Sequence, residues 1–425
     1  MTRLERHGGA LAQALAIIGA FGSKAAAAGA QFGQAIILSR MLGPEALGLY
    51  YVALSVYRVA ETAAPLGLPT SIVREVAAAS AQGGWGSVRR ITRRGLVLCA
   101  FLAAAAAVAI WALADTLAGG LEGQPRAALA LRWMALAIMP GVMALALTSV
   151  LRGLGRQSLA NLLGSLVLPV VATLGFVFLW RSHGYVGAVQ GFIAGQIAAL
   201  ALLGASLWQI LRRRPNIHVQ GRRLRESALA FWIVSLASLA NDSLAILMLG
   251  FLATPEQAGY FGIAARLAMP LSFLGASVQA VCDSRFAGLH RLGDQKALAR
   301  DYHAALRGAF GFSLVAVLGL LLLLGPLIAL FGPQYAAARP ILYVILVSIF
   351  LLSAFGPAGS LLTMTGHARI NAWTAVAAMP AMALAMALLV PRFGAMGAAL
   401  ATSGTLSARV LVQLAAAQLV IRRGR

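Results

Sequence analysis

The chain has 425 residues, 60% of them hydrophobic and 11% charged, and its mean hydropathy is +0.84. A soluble domain carries about 25% charged residues, so the composition excludes a soluble enzyme, a nucleic-acid-binding domain, a secreted scaffold and a disordered protein. It describes a polytopic membrane protein, whose formal charge of +22 comes from cations in short connections, where Lys and Arg set membrane orientation rather than bind nucleic acid.

Apolar runs follow one another at 10–39, 45–68, 95–118, 127–150, 158–180, 185–211, 228–252, 257–282, 308–331, 338–363, 372–390 and 394–421. A spanning helix needs about 20 apolar residues, so the pattern predicts an all-α protein of about twelve transmembrane helices. The runs are continuous and rich in Ala and Leu, unlike the alternating ten-residue segments of a membrane barrel. At the start, Arg3 and Arg6 precede the first run, and residues 25–30 imitate a cleavage site. Hydrophobicity nevertheless continues through Ile36, Ile37 and Leu38, beyond an ordinary signal-peptide core, so this run is expected to stay as a helix.

The connections alternate in charge. One set includes Arg3 and Arg6, Arg89 to Arg94, Arg152 and Arg156, Arg212 to Arg225, Arg285 to Arg307, Arg369 and Arg422 to Arg425, with 23 cations against six in the other. The positive-inside rule then places both termini and the basic connections in the cytoplasm, which requires an even number of spans.

The sequence also matches itself at an offset of 211. Pro44, Glu45, Gly48 and Ala53 fall on Pro255, Glu256, Gly259 and Ala264; Arg74 falls on Arg285, Gly155 on Gly366 and Pro169 on Pro380. After a slip of one residue, Gly184, Gly187 and Ala188 fall on Gly394, Gly397 and Ala398. The expected organisation is an N-terminal six-helix bundle over 1–211, a basic cytoplasmic linker over 212–227 and a C-terminal six-helix bundle over 228–425. With six spans each, the bundles are parallel, related by an axis along the membrane normal around a central cleft that opens by alternating access. Gly187, Gly191 and Gly195, with Gly397, Ala401 and Thr405 at corresponding places, are read as small faces for close helix packing.

The run Ile37-Leu38-Ser39-Arg40-Met41-Leu42-Gly43-Pro44-Glu45-Ala46-Leu47-Gly48-Leu49-Tyr50, followed by Leu66-Gly67-Leu68-Pro69-Thr70-Ser71-Ile72-Val73-Arg74, resembles the N-terminal signature of the polysaccharide and O-antigen flippases. These belong to the multidrug/oligosaccharidyl-lipid/polysaccharide exporter superfamily. Asn241-Asp242-Ser243-Leu244 and Ala253-Thr254-Pro255-Glu256-Gln257-Ala258-Gly259-Tyr260-Phe261 look like that family's seventh and eighth spans. Many relatives place an acidic residue before the first Gly-Leu, where this chain has Ala64-Pro65, which argues against a coupling role at that position. Peptidoglycan-precursor flippases are also similar but generally have two extra spans.

Ionisable groups inside spans are rare and mark functional sites. Here they are Lys24, Arg58, Glu61, Asp242, Arg266 and Arg409. Helical spacing puts Gln13, Lys24 and Gln31 on one face, Ser55, Arg58 and Thr62 on another, and Ser235, Ser238 and Asp242 on a third. In the repeat, Arg266 corresponds to Ser55, one turn from Arg58. Lys24, Arg58, Arg266 and Arg409 are the candidate substrate-binding residues. Glu61 and Asp242 are candidates for ion coupling or for counter-ions, since Arg58 and Glu61 can neutralise each other at i,i+3. Arg74 and Arg285, near the expected cytoplasmic ends, read as snorkelling anchors.

A net cationic site suits phosphate, which accepts charge-assisted bonds from Arg and Lys. The resemblance implies the same class, a polyprenyl-pyrophosphate-linked oligosaccharide moved across the bacterial inner membrane for surface-polysaccharide synthesis. The expected partners are that lipid-linked substrate, membrane lipids and other polysaccharide-assembly proteins, with no nucleic acid. The sequence contains no zincin, P-loop or Cys-x-x-Cys motif, and no cofactor, metal site or enzymatic activity is expected. Cys99 and Cys282 read as small buried residues. The alternatives are a cation or drug antiporter of the same fold, disfavoured by the charge sign, and a membrane-embedded glycan polymerase, which would need a larger outer loop.

Overall fold

A computed structural model describes residues 3–119, 125–217, 219, 232 and 243–423. No strand occurs among the described residues, and almost all are helical. A bilayer core has no water to satisfy peptide groups, so a spanning segment must close its hydrogen bonds within itself. The all-α membrane fold expected from the apolar runs is the one observed.

Helix α1, Arg3–Ala63, holds the first two apolar runs and is broken at Gly43, whose φ of 74° and ψ of 170° are not helical. Pro44 restarts the helix; with φ already near the helical value and no N–H to lose, proline suits a first turn. The second run breaks again at Pro65-Leu66-Gly67, with Leu66 at φ 49° and Gly67 at φ 75°, before α2, Leu68–Ala81. Then come α3, Trp85–Gly119, α4, Pro125–Gly153, α5, Gln157–His183, and α6, Val186–Arg212. Helix α5 has one π-helical stretch at Leu162–Leu166.

Beyond this lie α7, Ser243–Leu252, and α8, Pro255–Arg291. Helix α9, Gln295–Leu322, is followed by the short α10, Leu324–Phe331, so the run at 308–331 is interrupted near its C-terminal end. Helix α11 is Ala338–Met364, and α12, Ala368–Arg423, contains the last two runs, separated by non-helical Gly394. Eight of the described helices are long and apolar enough to cross a membrane: α3, α4, α5, α6, α8, α9, α11 and α12. Most of the expected linker at 212–227 and of the run at 228–252 lies outside the described residues.

By contact the chain divides into unit 1, residues 1–42 and 53–239, and unit 2, residues 43–52 and 240–425. In unit 1, α2, α3 and α6 pack on α4, and α5 packs along α6. Leu131, Met134 and Ile138 of α4 are fully buried there. In unit 2, α8, α9 and α12 pack on α11; Phe286, Tyr302, Leu361 and Leu362 form part of one core cluster. The outward faces are apolar as well: Val97, Phe101, Val108, Trp111 and Leu113 are exposed along α3, and Leu314, Val315 and Leu318 along α9, as suits lipid contact.

The offset of 211 has a backbone counterpart in each unit. Gly184, between α5 and α6, has φ 54° and ψ −131°, and Gly394, at the equivalent break in α12, has φ 55° and ψ −132°. Both positions have positive φ, where a Cβ is strained. Three residues on, a Cβ at Gly187 would meet the Leu179 carbonyl oxygen at 3.2 Å, and one at Gly397 would meet that of Leu389 at 2.2 Å.

Within unit 2 the segment 43–52 crosses the start of α8 at very short range. A Cβ on Gly48 would lie 1.7 Å from the Pro255 carbonyl oxygen, and one on Gly259 would lie 2.3 Å from that of Pro44. Pro44 and Gly48 are the repeat partners of Pro255 and Gly259, so each glycine receives the proline of the other copy.

Arg89, one of the cations of the basic connections, has a structural task. Its Nη2 donates to the carbonyl oxygens of Leu211 at 2.6 Å and Arg214 at 2.8 Å, so it caps the end of α6, and its Nη1 donates to Asn216 Oδ1 at 3.3 Å. Beside it, Gly86 N–H donates to the Ile217 carbonyl oxygen at 2.7 Å and the Arg214 guanidinium lies over the Trp85 ring at 4.5 Å. These contacts tie the beginning of the basic segment to the start of α3.

Candidate functional site

In unit 1, the part of α1 that carries the second apolar run presents Tyr57, Arg58 and Glu61. Positions 57 and 61 are one turn apart and face the same way. Tyr57 is buried, and its Oη donates to Glu61 Oε1 at 2.7 Å. From α6, Gln196 Nε2 donates to Tyr57 Oη at 2.7 Å. The amide, phenol and carboxylate therefore form one donor chain that ends on Glu61. Phe192, one turn before Gln196, meets the Tyr57 ring edge-on at 5.0 Å between centroids. A Cβ at Gly141 of α4 would lie 1.9 Å from Tyr57 Oη, so a glycine is needed there to admit the phenol.

Arg58 is exposed and acts electrostatically on both Glu61 and Tyr57. The sequence brings Arg58 and Glu61 together by spacing alone. Tyr57 and Gln196 carry no such signal, because neutral polar groups far apart in sequence do not announce a shared network.

Lys24 lies on the first part of α1, also in unit 1. Its neighbour Ser23 is buried and accepts from Asn161 Nδ2 at 3.4 Å, and Gly19, one turn before, comes close to Ser158, to whose Oγ an added Cβ would be 3.1 Å. These contacts orient the helix on α5. Successive helical residues are rotated by about 100°, which carries Lys24 off the packed face, and its side chain is exposed.

In unit 2, Arg266 of α8 is half-buried, with its guanidinium over the Tyr51 ring at 5.6 Å. Arg409 of α12 is half-buried, and its Nε is buried with no hydrogen-bond partner among the described residues. One turn further on, Gln413 joins Thr363, Asn371 and Thr374 in a hydrogen-bonded cluster. These four carry no charge, and their signal in the sequence is the placement of amides and hydroxyls at helical spacing within apolar runs. Asp242 lies outside the described residues. Arg285 is exposed and paired with Asp301 at 2.8 Å. Among the described residues no group of three or more His, Cys, Asp or Glu is placed to hold a metal ion.

The profile of the polysaccharide biosynthesis protein family matches residues 16–282. Stage V sporulation protein B from Bacillus subtilis (strain 168) is 29% identical over 178 residues, which is 40% of this chain and 34% of that protein, so the match spans about a third of the relative's length. Among solved structures, a multidrug resistance MATE family transporter of the MOP superfamily, in its inward-facing conformation, superposes with a TM-score of 0.75 at 16% identity, covering 93% of this chain and 94% of that one. The lipid II flippase MurJ, in an inward closed conformation, superposes with a TM-score of 0.72 at 15% identity, covering 95% and 87%. At these identities the likeness is one of fold.

Proposed function

The chain belongs to the polysaccharide biosynthesis protein family, and from that premise we propose that it is a flippase carrying a polyprenyl-pyrophosphate-linked oligosaccharide across the bacterial inner membrane by alternating access. The observation that carries this reading is the sign of the membrane-embedded charge. Lys24, Arg58, Arg266 and Arg409 stand in or beside spanning helices, against Glu61 among the described residues and Asp242 in the sequence, while Asp115 of α3 and Arg132 of α4 neutralise each other at 2.6 Å. Ionised groups in a bilayer call for compensation, and a pyrophosphate supplies two or more negative charges to cationic side chains.

In this reading Lys24 and Arg58 of unit 1 and Arg266 and Arg409 of unit 2 are the substrate-binding residues. Glu61, held by Tyr57, balances Arg58 or couples transport to an ion. Residues 1–211 and 228–425 act as two six-helix bundles joined by the basic linker at 212–227, with both termini in the cytoplasm. The saccharide needs polar walls, whereas the polyprenyl tail stays in the bilayer. The substrate is delivered and consumed by other polysaccharide-assembly proteins, and the chain performs no covalent step. A drug antiporter shares the fold, but a cationic cargo would require acids to prevail along the path.

Deletion of the gene tests the proposal. Lipid-linked saccharide units are expected to accumulate on the cytoplasmic leaflet while surface polysaccharide falls. Unchanged surface polysaccharide with no accumulated precursor would contradict it.

A further inference from the structure

Three helical segments of unit 2 bring neutral polar groups together. Thr363 comes from α11, Asn371 and Thr374 from the first part of α12, and Gln413 from its last part. Gln413 Nε2 donates to Asn371 Oδ1 and to Thr374 Oγ1, the latter at 3.3 Å. Asn371 Nδ2 donates to Thr363 Oγ1 at 3.0 Å. The hydroxyls are themselves fixed, Thr363 donating to the Gly359 carbonyl oxygen at 2.8 Å and Thr374 to that of Asn371 at 2.9 Å. Such a network joins helices in a membrane, where each interhelical bond contributes modestly.

Joining helices does not use all of its capacity. A primary amide has two N–H donors and an acceptor oxygen with two lone pairs, and the bonds above engage neither Gln413 Oε1 nor more than one acceptor for Asn371 Nδ2. Gly359 faces Gln413 Oε1, which an added Cβ would approach to 3.5 Å, so the glycine leaves space beside that oxygen. Arg409, one turn from Gln413 on the same helix, keeps its buried Nε without a hydrogen-bond partner among the described residues.

A cavity of about 360 Å³ lies further along α11 and α12, with His290, Leu361, Thr365, His367, Ile370 and Val420 among its lining residues, none of which belongs to the cluster. Ile370 is one turn from Thr374, and Val420 two turns from Gln413. The volume falls within the range of about 300–1,000 Å³ usual for small-molecule sites.

We infer that Asn371, Thr374 and Gln413, with Thr363 bonded to Asn371, form a saccharide-binding subsite in unit 2 and that Arg409 holds the adjoining phosphate; the inference rests on the flippase reading and names residues for the sugar end of its substrate. Sugar hydroxyls both donate and accept, as amides and threonine hydroxyls do, and the apolar wall suits the C–H faces of a pyranose. The cluster contains no carboxylate to attract a cationic cargo.

The test uses the full chain in lipid nanodiscs and four probes: undecaprenyl pyrophosphate, and the same lipid bearing one glucose, galactose or N-acetylglucosamine. The wild-type protein should bind at least one sugar-bearing probe roughly tenfold more tightly than the bare lipid, a gain equivalent to one or two hydrogen bonds. Gln413→Ala and the nearly isosteric Thr374→Val should bring the ratio of the two affinities close to one, and Arg409→Ala should weaken binding of every probe. Equal binding of bare and sugar-bearing lipids by wild type, or an unchanged ratio in both cluster variants, overturns the subsite while leaving the flippase reading standing. If wild type binds none of the four probes, the flippase reading falls and the subsite with it.

Discussion

Replacing either glycine of the proline–glycine crossing should destabilise the protein by about 3 kcal/mol, near the upper end for overpacking, because the obstacle is backbone rather than a side chain that can turn away. Gly48→Ala places a methyl 1.7 Å from the Pro255 carbonyl oxygen, and Gly259→Ala places one 2.3 Å from that of Pro44. Neither position can be relieved without separating the segment 43–52 from α8. The double substitution should cost less than the two single ones added, since the first already opens the crossing that the second would clash with. Gly288→Ala, in the same helix α8, is the control. Nothing lies within 4 Å of its added Cβ, and alanine is favoured over glycine in a helix by about 1 kcal/mol. Thermal unfolding of the purified variants checks the pattern. Similar midpoints for Gly48→Ala and Gly288→Ala would show that the crossing is not close-packed.

The second large effect is on transport. Lys24→Ala should abolish glycan export while the protein still reaches the membrane. On this stretch of α1 Ser23 is buried and Gly19 comes close to Ser158 of α5, while Lys24 is exposed beside them, so truncation leaves that packing intact. Lys24→Arg should keep part of the activity because the charge remains, although guanidinium and ammonium differ in geometry. Lys24→Glu should be worse than alanine, because a carboxylate repels the pyrophosphate. Surface polysaccharide, normalised to the amount of protein in the membrane, measures this order. Normal export by both the Ala and Glu variants would remove the cationic-site mechanism and favour the antiporter reading.

Much of the fold can be read from residues that act locally. Apolar runs give the helices because a bilayer permits few other backbones, and the glycine breaks at 43, 184 and 394 follow from backbone demands local to each position. Gly184 and Gly394 carry nearly the same dihedral angles. Breaks are less visible. The run at 45–68 reads as continuous, yet Pro65 to Gly67 interrupt it, whereas α8 passes through the corresponding stretch as one helix containing Pro270. Arg89 reads as a topological charge, and its capping of α6 depends on a contact 122 residues away in sequence.

The candidate site divides in the same manner. Charged residues in apolar runs stand out because their placement is costly, so Lys24, Arg58, Glu61, Arg266 and Arg409 were identifiable one by one. Tyr57 and Gln196, like Asn371, Thr374 and Gln413, become informative only once helices distant in sequence are packed together. A lone amide in a helix is ordinary; an amide that completes a donor chain to Glu61 is not.

Transfer between leaflets is the most direct measurement of the central claim. Vesicles containing the purified protein would receive a labelled undecaprenyl-pyrophosphate-linked saccharide, and its exposure on each leaflet would be followed with a sugar-modifying reagent that does not cross the bilayer. The account predicts protein-dependent transfer of the saccharide to the opposite leaflet, reduced to the rate of protein-free vesicles by Lys24→Ala. Transfer by wild type no faster than in protein-free vesicles, in a preparation that binds the same lipid, would contradict it.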